Sequence, residues 1–273
     1  LWINLEYLSA ESWVEECHGL LSPQPHSTLK KYFYFPGFTP QTGGLLREKG
    51  LFSEREAFDE QARADFWDSL GIAAPTADEL RISLFCYENN ALPVMLNEWA
   101  TGDRPIGVVA TSGLAARQVE SWFGEQLPER RVLRRGSLTV YGIPFLSQAG
   151  YDRLLWACHL NVVRGEDSAV RALWAGRPHI WHIYPQDDGV HADKLEAFMR
   201  RWMGAWPPAL RDAVALGWRH FNRIAPDSPS AAPQDEGPLP PLADWRDEAG
   251  DWAVSSRSSR AALLAQTDLV TQL

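Results

Sequence analysis

Between residues 81 and 203 the chain alternates five times between a short apolar run and a helical pattern, and this constrains its fold more than any other feature. The apolar runs are 81–87, 106–110, 137–143, 160–163 and 179–183; the helical patterns that follow them are 91–101, 114–124, 149–158, 167–175 and 192–203. Strands joined by helices pair in parallel, because each helix carries the chain back across a face of the sheet. The expected fold class is therefore α/β, a doubly wound parallel sheet with right-handed crossovers. Upstream, 1–8 reads as a strand, residues 9–11 open a short helical stretch, and 53–70 reads as one helix before a linker at 73–76. Residues 22–44, rich in Pro, Gly and aromatics, read as a long loop region, and loops of that length are often functional. Downstream, 208–222 reads as a helix, 226–243 as a Pro/Ser/Asp linker and 244–271 as helical again.

The 273 residues suit one large domain or two small ones. A net charge of −9 argues against nonspecific nucleic-acid binding, which needs a basic footprint, while leaving room for a local anion site. The three cysteines, Cys17, Cys86 and Cys158, are odd in number and widely spaced, so they read as free thiols in a reducing compartment. No apolar run approaches about 18 residues and no signal peptide is visible, so a cytoplasmic protein is expected. The first five residues, Leu1-Trp2-Ile3-Asn4-Leu5, resemble the inside of a strand, so the chain reads as a fragment.

Ligands of open α/β sheets bind outside the carboxyl ends of the strands. The loops to inspect follow residues 87, 110, 143, 163 and 183. The fourth, Arg164-Gly165-Glu166-Asp167-Ser168, combines a glycine that permits a sharp strand-to-helix turn, Asp167 or Ser168 as a helix cap, and Arg164 as a fixed cation. Free N–H groups at the helix start, with the helix dipole, make an anion site that needs no metal. The same pattern also fits an ordinary capped helix with a solvated arginine. After 143, Phe145 and Gln148 could stack and read a base, or Phe145 could be core. Tyr184 could reach a phosphate or pack on Pro185; His182, within its strand, reads as a core histidine. The chain has no P-loop, no G-x-G-x-x-G after a strand, no G-x-S-x-G elbow and no D-x-D, which weighs against P-loop hydrolysis, dinucleotide dehydrogenation, α/β-hydrolase chemistry and a carboxylate metal site.

Four segments in order resemble the protein-arginine rhamnosyltransferases that modify elongation factor P: Trp2-Ile3-Asn4-Leu5-Glu6-Tyr7-Leu8-Ser9-Ala10-Glu11, Phe33-Tyr34-Phe35-Pro36-Gly37-Phe38-Thr39 with Thr42-Gly43-Gly44-Leu45, Arg164-Gly165-Glu166-Asp167-Ser168, and Trp181-His182-Ile183-Tyr184-Pro185-Gln186. The resemblance covers nearly the whole chain. It implies a GT-B fold of two Rossmann-like domains and inverting, metal-independent transfer of L-rhamnose from dTDP-rhamnose to an arginine of elongation factor P, with no cofactor. It implies that Phe145 and Gln148 hold thymine, that Arg164, Asp167, Ser168 and Tyr184 hold ribose and diphosphate, and that Glu166 lies at the reacting centre. Phe85, Tyr87 and Tyr151 fall where the family places aromatics around the nucleotide-sugar.

The resemblance divides the chain into residues 1–76, the remainder of an acceptor-side domain; 77–225, a nucleotide-sugar domain; the 226–243 linker; and 244–273, helical and packing back on the first domain. It also implies an N-terminal truncation, with the main catalytic aspartate on the absent segment. Ala169, Leu173 and His179 stand where larger, amide-bearing and aromatic residues are expected. The rival expectations are a GT-B enzyme with a different acceptor, which the loop 32–44 would discriminate, and a nucleotide-binding module without transferase activity.

Overall fold

The computed structural model describes residues 1–25, 27–224 and 249–273. The 226–243 linker expected from the sequence, and the first residues of the terminal helical segment, lie outside the described residues. The chain opens with β1 (Trp2–Leu5), α1 (Trp13–Cys17), β2 (Leu21–Pro23), β3 (Lys30–Tyr34), α2 (Leu51–Ala57) and α3 (Glu60–Ser69). There follow β4 (Leu80–Leu84), α4 (Ala91–Thr101), β5 (Ile106–Thr111), α5 (Leu114–Phe123), β6 (Val132–Arg135), β7 (Leu138–Ile143) and α6 (Gln148–Ala157). The rest is β8 (Leu160–Arg164), α7 (Gly165–Ala175), β9 (His179–His182), α8 (Val190–Trp202), α9 (Pro208–Phe221), α10 (Asp251–Leu264) and α11 (Leu269–Gln272).

The main sheet has the order β6-β7-β5-β4-β8-β9. All five strands expected from the sequence pair in parallel. β4 and β5 are buried along their whole length, as befits parallel strands covered on both faces. Successive residues take opposite faces: Val108 and Val140 join the larger apolar cluster, while Val109 and Tyr141 join a second one with Trp67 and Leu154. The chain runs outward from β4 through β5 to β7, then returns to β4's other side for β8 and β9. The order therefore reverses between β4 and β8, and this is the topological switch point where such sheets open a crevice.

The structure corrects several sequence expectations. The single strand at 137–143 is the second half of a tight hairpin, because β6 pairs antiparallel with β7. Gly136 makes that turn at φ 56°, and a Cβ there would strike the Ala100 carbonyl. The 22–44 loop region contains β2 and β3, and β3 pairs in parallel with β1, nearly thirty residues earlier in the chain. The helix at 53–70 is two, broken where the Asp59 carboxylate caps α3 by accepting from the Ala62 N–H at 2.8 Å. The helix expected from 167 begins at Gly165, and neither Asp167 nor Ser168 caps it: the cap position is Arg164, without a side-chain cap bond. In place of capping, the Ser168 hydroxyl accepts from the Arg164 N–H at 3.1 Å and donates to the Arg164 carbonyl.

The N-terminal residues do not form a separate core. Leu8, Phe38, Leu45 and Leu51 belong to the same buried cluster as the main sheet. The Trp174 indole on α7 donates to the Leu46 carbonyl at 2.8 Å, and Phe38 packs on Phe198 of α8 with ring centres 5.2 Å apart. The C-terminal helices lie against this same segment: the Leu269 N–H donates to the Leu45 carbonyl at 3.0 Å, and Trp252 is fully buried. Among the described residues no helix is long and apolar enough to cross a membrane. All three cysteines are free; Cys86 and Cys158 are buried.

Candidate functional site

β4 and β8 end side by side at the switch point, so the residues just beyond them meet. Phe85 and Tyr87 leave β4, and Arg164 ends β8. The Arg164 guanidinium carbon lies 4.4 Å from the Phe85 ring centre and 4.8 Å from that of Tyr87. It makes no ion pair with a carboxylate among the described residues. A cation held by two ring faces keeps its five N–H donors available at low entropic cost. Its field is felt nearby. Burial pushes the Cys86 thiol up to about 12 against the pull of Arg164. Burial likewise raises the Tyr87 hydroxyl, again opposed by Arg164.

Tyr184 stands edge-on to Tyr87 at 5.4 Å and is 63% exposed. His182 packs between Tyr87 and Phe221, with its Nδ1 buried and unpartnered among the described residues. Burial first, and then the charges of Arg164 and His191, lower its pKa to about 4, so it is a neutral core residue and not a proton shuttle at neutral pH. It fulfils the core expectation without the hydrogen bonds usual for a buried imidazole.

From Phe85 the crevice continues into a cavity of about 220 Å³ lined by Thr111, Phe145, Leu146, Gln148, Tyr151, Asp167, Ser168 and Arg171 as well. Phe145 is 79% exposed and so is not core; it offers an aromatic face at the mouth. Tyr151 packs edge-on against Phe85 at 5.9 Å. Its hydroxyl is buried beside Ser168 without a hydrogen bond of good geometry, and burial raises its pKa well above the usual phenol range. Thr111 Oγ1 is a second buried hydroxyl without a partner among the described residues.

Arg171 organises the cavity floor. Its Nη1 donates to both Asp152 oxygens, at 2.9 and 2.7 Å, and its Nη2 to Glu48. Its Nε lies 3.5 Å from Asp167. In the amide orientation its neighbours require, the Gln148 carbonyl accepts from Arg171 Nε at 3.2 Å. Burial works against the charge on Arg171, but the bonds from Asp152 and Glu48 outweigh it and the net shift is upward. Burial also raises Asp152, more than the Arg171 bonds lower it. One guanidinium nitrogen within 2.9 Å of both carboxylate oxygens is the contact of an ion pair, and burial opposes the charge on each partner.

Glu166 lies in the first turn of α7 but faces elsewhere. One carboxylate oxygen accepts from the Leu8 N–H at 2.9 Å and the other from Lys194 Nζ at 2.8 Å. It thus joins the N-terminal segment, α7 and α8. Gly165 makes its placement possible: φ 69° turns the chain sharply from strand to helix, and the Gly165 carbonyl is fixed by the Trp181 indole at 2.8 Å.

Of the ten expected site residues, Phe85, Phe145, Gln148, Tyr151, Asp167 and Ser168 line the cavity, Arg164, Tyr87 and Tyr184 adjoin it through ring contacts, and Glu166 turns to Leu8 and Lys194. Sequence reasoning missed Thr111, Arg171 and Lys194. Arg171 was visible as the i+4 partner of Asp167, and Thr111 as the residue ending the second strand. Lys194, 28 positions from Glu166, left no local signal. No cluster of three or more metal-ligating side chains occurs among the described residues.

Fold and site together define a doubly wound α/β protein with a cationic, aromatic-walled crevice at its switch point, the class of sheet that takes nucleotides and their relatives there. The particular family follows from comparison with known proteins. The family model for Elongation-Factor P (EF-P) rhamnosyltransferase EarP matches residues 1–273, and the chain belongs to that family. It is 51% identical over 228 residues to a protein-arginine rhamnosyltransferase of Pseudomonas putida, covering 81% of this chain and 59% of that protein. It is 43% identical over 271 residues to one of Pseudomonas aeruginosa, covering 97% of this chain and 70% of that protein. A solved structure from work on EarP-mediated arginine glycosylation of translation elongation factor EF-P superposes with a TM-score of 0.73 at 36% identity, covering 86% of this chain and 72% of the other. The chain spans 59% and 62% of the length of two curated relatives, those of Pseudomonas putida and Shewanella oneidensis.

Proposed function

We propose that this chain carries the donor-binding part of a GT-B glycosyltransferase that moves L-rhamnose from dTDP-rhamnose to an arginine of elongation factor P, with inversion and without a metal. In this reading residues 77–225 are the nucleotide-sugar domain, residues 1–76 belong to the acceptor-side domain, and the setting is the cytoplasm, where a translation factor works. The observation that carries the reading is the guanidinium of Arg164, without a carboxylate partner among the described residues and held between Phe85 and Tyr87, immediately before the first turn of α7. A diphosphate placed there meets a fixed cation and the free N–H groups of a helix start. Phe145 stacks the thymine, Gln148 reads its edge, and Asp167, Ser168 and Tyr184 surround ribose and phosphates.

The chemistry follows. A guanidinium nitrogen attacks the anomeric carbon from the face opposite the nucleotide. As the new C–N bond forms, the C–O bond to the diphosphate breaks and its electron pair leaves on dTDP. Arg164 and the helix start stabilise the charge that develops there, the work a metal does in other transferases. A guanidinium is protonated at neutral pH and weakly nucleophilic, so carboxylates must localise its charge and take a proton as the bond forms. In this reading Glu166, which the Leu8 amide and Lys194 hold in the free chain, takes the orienting role once the acceptor is bound.

The test is calorimetric titration of the folded chain with dTDP and dTDP-rhamnose in the absence of metal. Binding near micromolar, weakened at least about tenfold in Arg164→Ala, is expected from the loss of a charge-assisted contact. A chain that is folded by circular dichroism yet binds neither ligand overturns the reading. Equal affinity for other dTDP-sugars would keep the fold of the site and remove rhamnose from the proposal.

A further inference from the structure

Two acidic residues, Glu166 and Asp167, stand in the first turn of α7, where an anionic ligand would be disfavoured by their charge. The structure gives each of them a cation. Asp167 has Arg171 at 3.5 Å, and Glu166 has Lys194 at 2.8 Å. The second pair is the more enclosed, with 19% of the Lys194 side chain and 34% of that of Glu166 exposed. Lys194 reaches it from the first half of α8, its ammonium 5.7 Å from the Tyr7 ring centre. The other Glu166 oxygen is fixed by the amide of buried Leu8. The carboxylate is therefore held from two sides, by elements that come together only in the folded chain.

We propose that Lys194 is a positioning residue of the donor site: it holds the Glu166 carboxylate on the Leu8 amide and supplies the counter-charge that lets a nucleoside diphosphate occupy the start of α7 beside it. This rests on the nucleotide-sugar reading above. Without Lys194 the carboxylate would be unbalanced and freer to swing toward the diphosphate. The contact with Leu8 would loosen at the same time, because a single neutral donor holds a carboxylate less firmly than a donor and an ammonium together.

The test uses the whole chain, with dTDP as the probe in calorimetry. Lys194→Met is expected to weaken dTDP binding about tenfold, the size of one like-charge repulsion at the screened strength of a protein surface, and the loss should shrink at high salt. The double variant Lys194→Met/Glu166→Gln is expected to bind within about twofold of Glu166→Gln alone, since the charge that needed balancing is gone. Unchanged affinity in Lys194→Met overturns the proposal, and so does a double variant as weak as Lys194→Met, because a merely structural lysine would not be rescued by removing a carboxylate. Hydrogen exchange at the Leu8 amide tests the holding role without any ligand. Exchange at least about tenfold faster in Lys194→Met, with the neighbouring core amides unchanged, is expected; unchanged Leu8 protection overturns it. A wild-type chain that fails to bind dTDP defeats the nucleotide reading, and the exchange measurement then decides the positioning by itself.

Discussion

Glu166 shows how much of a residue's role depends on what faces it. With one oxygen on the Leu8 amide and the other on Lys194, it is positioned before any substrate arrives. In the transferase reading, Glu166→Gln is expected to cut turnover by about a hundredfold while dTDP affinity stays within a few-fold, because the amide keeps the Leu8 contact and loses the charge that orients a guanidinium. Unchanged turnover would remove Glu166 from the reacting centre. A second residue-scale prediction concerns pH. His179 stands edge-on to Trp202 and Trp218, and burial lowers its pKa from 6.5 to about 4, as burial also does for His182. Both folded-state values lie below the unfolded one. The stability they contribute is therefore complete above pH 6.5 and is lost as pH falls toward 4, since the unfolded chain takes up protons the folded chain refuses. Each histidine accounts for up to about 3 kcal/mol over that window. Denaturant midpoints measured from pH 7 to 4.5 should fall steeply in the wild type and less steeply in His179→Phe. That variant restores the aromatic side chain which the family resemblance leads one to expect at this position.

At the scale of elements, the strand-to-helix turn at Arg164-Gly165 carries the site. Gly165→Ala places a side chain at φ 69° with its Cβ 3.3 Å from the Tyr87 hydroxyl. The left-handed conformation alone costs about 1–2 kcal/mol. The expected result is a Tm lowered by several degrees together with weaker dTDP binding, as the helix start shifts and Tyr87 moves off Arg164. A variant with wild-type dTDP affinity would show that the turn does not set the anion site. The five strand-plus-helix units were legible from the sequence because fully buried parallel strands are short continuous apolar runs and their helices keep a 3.6-residue period. β2, β3 and β6 were not. β2 has three residues, β3 sits among prolines and aromatics without clean alternation, and β6 is an edge strand with one buried residue in four. Their existence is decided by partners, and β3's partner β1 lies far back in the chain.

At the scale of the molecule, both ends of the chain close on the helices that flank the switch point. Trp252 of α10 is fully buried in the main apolar cluster, and α11 is tied to Leu45 through the backbone of Leu269. Trp252→Ala is expected to lower stability by about 3–5 kcal/mol, the range for emptying a buried tryptophan site, measured as a shift of the denaturant midpoint. A loss under about 1 kcal/mol would mean that α10 is only loosely attached. The sequence by itself determined the α/β class, the parallel pairing of the five core strands and the edge of the sheet where such folds take ligands, because periodicity and turn residues are local properties that survive any packing. It also carried Arg164 and Phe145 as candidates, since they follow strand ends; Phe85 and Tyr87, inside the expected run 81–87, were candidates through the family resemblance alone. Tertiary structure alone decided that β4 lies between β5 and β8, and hence that the loops after β4 and β8 share one crevice. It alone turned Glu166 from that crevice toward Leu8 and Lys194, and set Arg171 under Asp167, Asp152 and Glu48. Apart from Asp167, four positions before Arg171, those contacts join residues from 19 to 158 positions apart. No window of sequence spans such separations; they arise because burying one continuous core brings distant charges together, and a buried charge must find its partner there.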